Sequence, residues 1–194
     1  KIFSKHFFQF GLIGLFVNLC GVFLSFRVPA LRSSFGRLMA THCLADAGVL
    51  FVFTFWCAPR TFWGFTDHDS ILGKRIGQVS LYFWFVSIYS QFFIAMNRFS
   101  LLYLPKIYKS VFQNRTRHVI IGYCSICLLH YLVYFGDGCD FYYNSEHFFW
   151  EYASTSCGKA MAFWLDFVFG CSVCGIVLLL DLSCVFSLHR GNQV

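Results

Sequence analysis

A chain of 194 residues that is 58% hydrophobic, 22% aromatic and only 12% charged departs from soluble domains, which run near 25% charged and 45–50% apolar. The composition excludes an ordinary soluble domain. The net charge of +6 does not indicate a nucleic-acid binder, because the basic residues are split among short connecting segments instead of gathering on one face.

In chain order, the charges leave five apolar intervals: 7–26, 38–59, 76–97, 119–136 and 160–180, with Asp46 inside the second and Asp166 inside the fifth. Each is close to the roughly 20 residues that cross a hydrocarbon core of about 30 Å. The expected fold is therefore an all-α transmembrane bundle of five spans in a lipid bilayer. Lys1 and Lys5 before the first interval imitate a signal peptide, but the apolar run is too long and no small-x-small site follows it.

The connections give the orientation. Loops one and three hold Arg27, Arg32, Arg37, Arg98, Lys106, Lys109, Arg115 and Arg117; loops two and four hold Arg60, Lys74, Arg75 and Lys159. Eight basic residues against four place loops one and three in the cytoplasm and the N-terminus outside. Loop two also carries Asp67 and Asp69, and loop four carries Asp137, Asp140, Glu146 and Glu151. The sequon Asn114-Arg115-Thr116 falls on the cytoplasmic side, where no glycan is expected.

Cysteines follow the same map. Cys139 and Cys157 lie in the outside loop, where a disulfide can persist, and Cys57 near the outer end of span two is another candidate partner. Cys124–Cys127 and Cys171–Cys174 have zinc half-site spacing, but both pairs lie in apolar spans and read as small packing residues. No metal or cofactor is expected from them.

Polar groups inside a bilayer need partners. Asn18, Asp46 and Ser87 are the candidates for an intramembrane cluster. Ser87 precedes Arg98 by about three helical turns, which puts both on one face of span three and brings Ser87 to the depth of Asp46. The cluster serves either a switch or helix packing, and the residues do not decide between them. His130 reads as structural. Asp166, just inside the outer boundary of span five, reads as a ligand contact or an interfacial anchor, and Asp181 as an inner-interface residue. The aromatics of the outer halves, including Tyr82, Trp84, Tyr134 and Trp164, fit an interfacial belt or an apolar ligand pocket.

The stretches "RVPALRSSFGRLMATHCLADA", "FFIAMNRFSLLYLPKIYKSVF", "GCDFYYNSEHFFWEY" and "AFWLDFVF" as a set resemble the nematode serpentine chemoreceptors of class X (Srx), which are rhodopsin-like seven-helix receptors. The resemblance implies a G protein-coupled chemoreceptor for a small environmental molecule, in the plasma membrane and in sensory cilia, with a heterotrimeric G protein as partner. It implies that Asn97 and Arg98 form the G protein-facing switch, and that Asp46, with Asn18 and Ser87 around it, joins a polar cluster able to hold sodium. Two departures stand out. Asn97 replaces the usual acidic neighbour of the arginine. No cysteine begins span three, which favours the pair Cys139–Cys157. Residues 1–194 are then the first five helices of one such domain, with spans six and seven not among them. The rival expectations are a non-signalling five-span accessory subunit, or a small membrane enzyme or transporter using Asp46, His130 and Asp166. No His-box, phosphate loop or paired carboxylates support a catalytic role.

Overall fold

The computed structural model describes residues 2–65 and 70–191, with side chains over 6–65 and 70–189. Asp67 and Asp69 of loop two lie outside the described residues. Five helices long and apolar enough to cross a membrane run up and down. They are α1 (Ile2–Arg27), α2 (Ser34–Trp63), α3 (Ile71–Tyr103), α4 (Pro105–Val133) and α5, which runs from Ser156 to Gly191. A two-stranded antiparallel hairpin, β1 (Phe141–Asn144) and β2 (Phe149–Tyr152), separates α4 from α5.

Local chemistry sets the helix starts and stops. Ser33, Ser70 and Thr155 cap α2, α3 and α5, each side-chain oxygen accepting the backbone N–H of the glycine three residues on. That satisfies a donor with no partner within the helix. Gly64 closes α2 in the left-handed conformation, φ 73°, which glycine adopts without a Cβ penalty.

The third span departs from the expected boundary. The uncharged interval ends at Asn97, yet the helix continues through Arg98 to Tyr103. A missing charge marks the hydrocarbon crossing; it does not mark the helix end. What stops α3 is Pro105, which drives Leu104 out of the helical region to φ −132°, ψ 60°. The same proline begins α4, where its missing N–H costs nothing. Most of loop three is consequently helical.

The fixed point of the bundle is α3. In its most apolar stretch 44% of residues are buried, against 6% for α1 and for α5. Leu81, Phe85, Val86 and Ile94 of α3 join Leu38 and Ala45 of α2, Tyr123 and Cys127 of α4, and Phe141 of the hairpin in one core. Elsewhere the surface is apolar, with Phe10, Phe16, Leu179 and Phe186 all more than 60% exposed, as lipid-facing helices require. The α1–α2 contact uses small residues, as membrane helices commonly do. Gly11, Gly14 and Gly21 face Thr54, Leu50 and Cys43.

Candidate functional site

The hairpin end holds a cavity of about 200 Å³ lined by Val49 and Phe53 of α2, Ser80, Leu81 and Trp84 of α3, Phe141 and Trp150 of the hairpin, and Asp166 of α5. Phe53 and Asp166 both lie in wide π-helical turns, Phe53–Cys57 and Met161–Val168. In α2 the cause is Pro59, which cannot donate to the carbonyl four residues back and crowds it.

The hairpin forms the roof. Phe141 and Trp150 stack at 5.2 Å with ring planes 7° apart. Several fasteners hold it down. Cys139 is disulfide-bonded to Cys157 at the start of α5, Lys74 Nζ pairs with Asp140 Oδ2 at 2.8 Å, and the Tyr143 hydroxyl meets Thr61 Oγ1 at 2.7 Å. Ser145 Oγ donates to the Phe65 carbonyl at 2.8 Å. Under this roof three polar atoms are buried without a hydrogen-bond partner: Trp150 Nε1, Tyr152 Oη and Tyr134 Oη. The Tyr152 hydroxyl faces both the Tyr134 hydroxyl and the Asp166 carboxyl.

Of the pocket residues expected from sequence, Trp84 and Asp166 line the cavity. Tyr134 sits beside it, against Tyr152. Tyr82 packs instead on Phe83 and Tyr131. Trp164 is 61% exposed and points away, because it lies two residues from Asp166 and so on another face of the helix. Sequence reasoning missed the aromatic lining residues Phe53, Phe141 and Trp150, together with Val49, Ser80 and Leu81. The two aromatic runs "FYY" and "FFW" flanking the polar segment "NSEH" were the available sign of a hairpin.

Burial raises the Tyr143 and Tyr152 phenols above the ordinary value. A phenol held neutral in the folded state favours folding below its unfolded pKa of 10.0. That contribution is lost as pH climbs through the folded value. The hairpin should therefore loosen as the pH climbs above 10.0, read by tyrosinate absorbance alongside proteolysis of the hairpin. Tyr152→Phe should shrink the pH-dependent step, and an unchanged step in that variant would place the titrating phenols elsewhere.

Deeper in the bundle, Ser87 Oγ donates to Asp46 Oδ1 at 2.6 Å. His42, one turn before Asp46, approaches its Oδ2 at 3.4 Å and meets Ser87 Oγ through Nδ1 at 3.2 Å. Both Asp46 oxygens thus have protein partners. Among the described residues no three His, Cys, Asp or Glu groups converge to hold a metal. Asn18 is not in this cluster. It lies in the α1 row of Gly11, Gly14 and Gly21, and its Nδ2 donates to the Gly14 carbonyl at 2.9 Å, a bond within its own helix. His42 went unnoticed in the sequence, although its spacing to Asp46 is that of helical neighbours.

At the opposite, basic end, Asn97 is buried and its Nδ2 donates to Ser34 Oγ at 3.1 Å. Ser34 Oγ in turn meets the Tyr108 hydroxyl at 3.2 Å, so a polar chain joins α3, α2 and the start of α4. Arg98 faces outward from this chain and pairs through Nη1 with Asp181 Oδ1 of α5 at 3.5 Å. Beside it the Tyr103 hydroxyl donates to the Ser183 carbonyl at 2.8 Å. His130 is ringed by Phe85, Tyr89 and Phe169. It shares no ion pair with Asp46 or Asp166 among the described residues.

These features sit on a chain whose residues 8–193 match the family described as serpentine type 7TM GPCR chemoreceptor Srx. The chain belongs to the Srx family. It is also 27% identical over 182 residues to Serpentine receptor class X 45 of Caenorhabditis elegans, a match covering 90% of this chain and 50% of that protein. The chain thus spans about half the length of the curated relative it matches. Family and relative are receptors by description, and the membrane-spanning helices agree with an integral membrane protein. Within the Srx frame, α3 carries residues of all three arrangements: Ser80, Leu81 and Trp84 at the cavity, Ser87 in the polar cluster, and Asn97 and Arg98 at the basic end.

Proposed function

We propose that the protein carrying this chain is a chemoreceptor that takes up a small molecule at the hairpin end and signals through a heterotrimeric G protein at the basic end. It works in the plasma membrane, including that of sensory cilia. The observation that carries this reading is the continuity of α3, a 33-residue helix running from the cavity wall to Arg98. A ligand that favours one packing of α2, α3 and α5 at the cavity shifts the same helices at the other end. Such a shift can be no larger than the ligand's differential affinity for the two states.

In this reading Arg98 is the group that meets the G protein, and Asp181 restrains it. The pair is partly exposed, with side chains 49% and 35% accessible. Breaking such a contact is worth about 0.5–1 kcal/mol, a roughly two- to fivefold change in a two-state ratio. Asp181→Asn is therefore expected to raise basal signalling by that modest factor in cells co-expressing a G protein reporter. Arg98→Ala is expected to abolish the signal at equal surface expression. A signal indifferent to Arg98→Ala would overturn this coupling.

A further inference from the structure

The cavity at the hairpin end contains one carboxyl group and an aromatic lining, and no protein cation answers that carboxyl. Asp166 makes no ion pair among the described residues; the protein group facing it is the Tyr152 hydroxyl, which carries no positive charge. Of the basic side chains at this end, Lys159 of α5 is exposed and three others are engaged elsewhere. Lys74 is held by Asp140. Arg75 donates to Gln78 Oε1 at 2.8 Å and lies over the Phe135 ring. Arg60 lies over Trp56 and Phe65. A carboxyl within a membrane-spanning helix is costly and is retained where something pairs with it. Around it Phe53, Trp84, Phe141 and Trp150 line the same space, and aromatic faces attract a cation most strongly where water is excluded.

We propose that the ligand class of this cavity is a small organic ammonium ion, paired to Asp166 and enclosed by Phe53, Trp84, Phe141 and Trp150. The inference rests on the reading of the cavity as the receptor's ligand site and deepens it by naming the chemistry recognised. The cavity of about 200 Å³ has room for a compact amine. The buried Trp150 N–H without an acceptor favours amines that also carry a hydroxyl or carbonyl oxygen.

The test uses the full chain in lipid nanodiscs, titrated with cyclohexylammonium and, separately, with its uncharged counterpart cyclohexanol, while tryptophan fluorescence is followed. The ammonium probe should bind saturably and more tightly than the alcohol. Asp166→Asn should weaken the ammonium probe by roughly tenfold or more, as losing one partner of a desolvated charge pair does, and leave the alcohol almost unaffected. Asp166→Glu, which keeps the charge, should retain the ammonium preference and decides the matter if the asparagine variant does not fold. Equal binding of both probes, or an ammonium affinity untouched by Asp166→Asn, overturns the ammonium class and leaves the cavity as a ligand site. Failure of both probes to saturate, or a titration unmoved by Trp84→Ala, overturns the cavity reading and the ammonium class with it.

Discussion

Replacing Cys139 and Cys157 by serine should lower the stability of the protein by about 3 kcal/mol. The bond closes a segment of 18 residues, and cross-linking a loop of that order removes about this much free energy from the unfolded chain. For a chain of this size the loss corresponds to a fall in melting temperature of about 6–12 °C. The effect should be concentrated at the hairpin, because the segment it closes contains both strands. Lys74–Asp140, Thr61–Tyr143 and Ser145–Phe65 still hold the hairpin when the disulfide is gone. The expected result is therefore a loosened roof over an intact bundle: faster proteolysis between Asn144 and Phe149, with helical circular dichroism retained. The same drop should follow addition of a reductant to the unmodified protein. If mass spectrometry shows both thiols free and the melting temperature has not moved, the disulfide is not what holds the roof.

The spans were readable because a bilayer punishes charge, so the gaps between charges trace the crossings whatever the helix does beyond them. For the same reason α3 could not be bounded correctly: Arg98 ends the crossing, and only the effect of Pro105 on Leu104 ends the helix. Positions within a span were harder. Asn18 and Ser87 look alike in sequence, each a small polar residue in an apolar run. One turns back to its own helix at Gly14 and the other reaches across to Asp46. Which occurs depends on what the neighbouring helix offers at that depth, and α2 offers Asp46 opposite Ser87. Trp164 and Asp166 show the same limit, since a local excess of aromatics says nothing about which face meets the core. The hairpin was hidden for a different reason. Its strands are four residues each, and a two-stranded hairpin is marginal by itself. This one is held by α2, α3 and α5, contacts invisible from its own sequence.

The polar contacts also divide by depth. Near mid-span, His42, Asp46 and Ser87 satisfy one another across α2 and α3. At the basic end, Asn97 is drawn inward to Ser34 while Arg98 turns outward to Asp181. With asparagine in place of an acid, the arginine is not paired with its sequence neighbour and instead meets a carboxylate on α5. This arrangement makes the α3–α5 contact, and not an adjacent residue pair, the candidate restraint at that end.

Gly77→Ala should be strongly damaging at the hairpin. Gly77 lies on α3 directly beneath β1, and a Cβ there would stand 2.8 Å from the Phe141 carbonyl carbon, closer still to its oxygen, and 3.2 Å from the Trp150 ring. The obstacle is backbone, which cannot turn aside as a side chain can. Either α3 or β1 must shift, and overpacking of this kind costs about 1–3 kcal/mol, occasionally more. The displaced residues, Phe141 and Trp150, are cavity walls, so ligand affinity should fall together with stability. Gly122→Ala provides the opposite case. Nothing lies within 4 Å of its added methyl, and alanine in an exposed helix gains about 0.8–1 kcal/mol over glycine. Thermal unfolding of the two variants in the same nanodiscs should therefore move in opposite directions. If both rise, the hairpin does not rest on α3 at Gly77, and the roof over the cavity sits elsewhere.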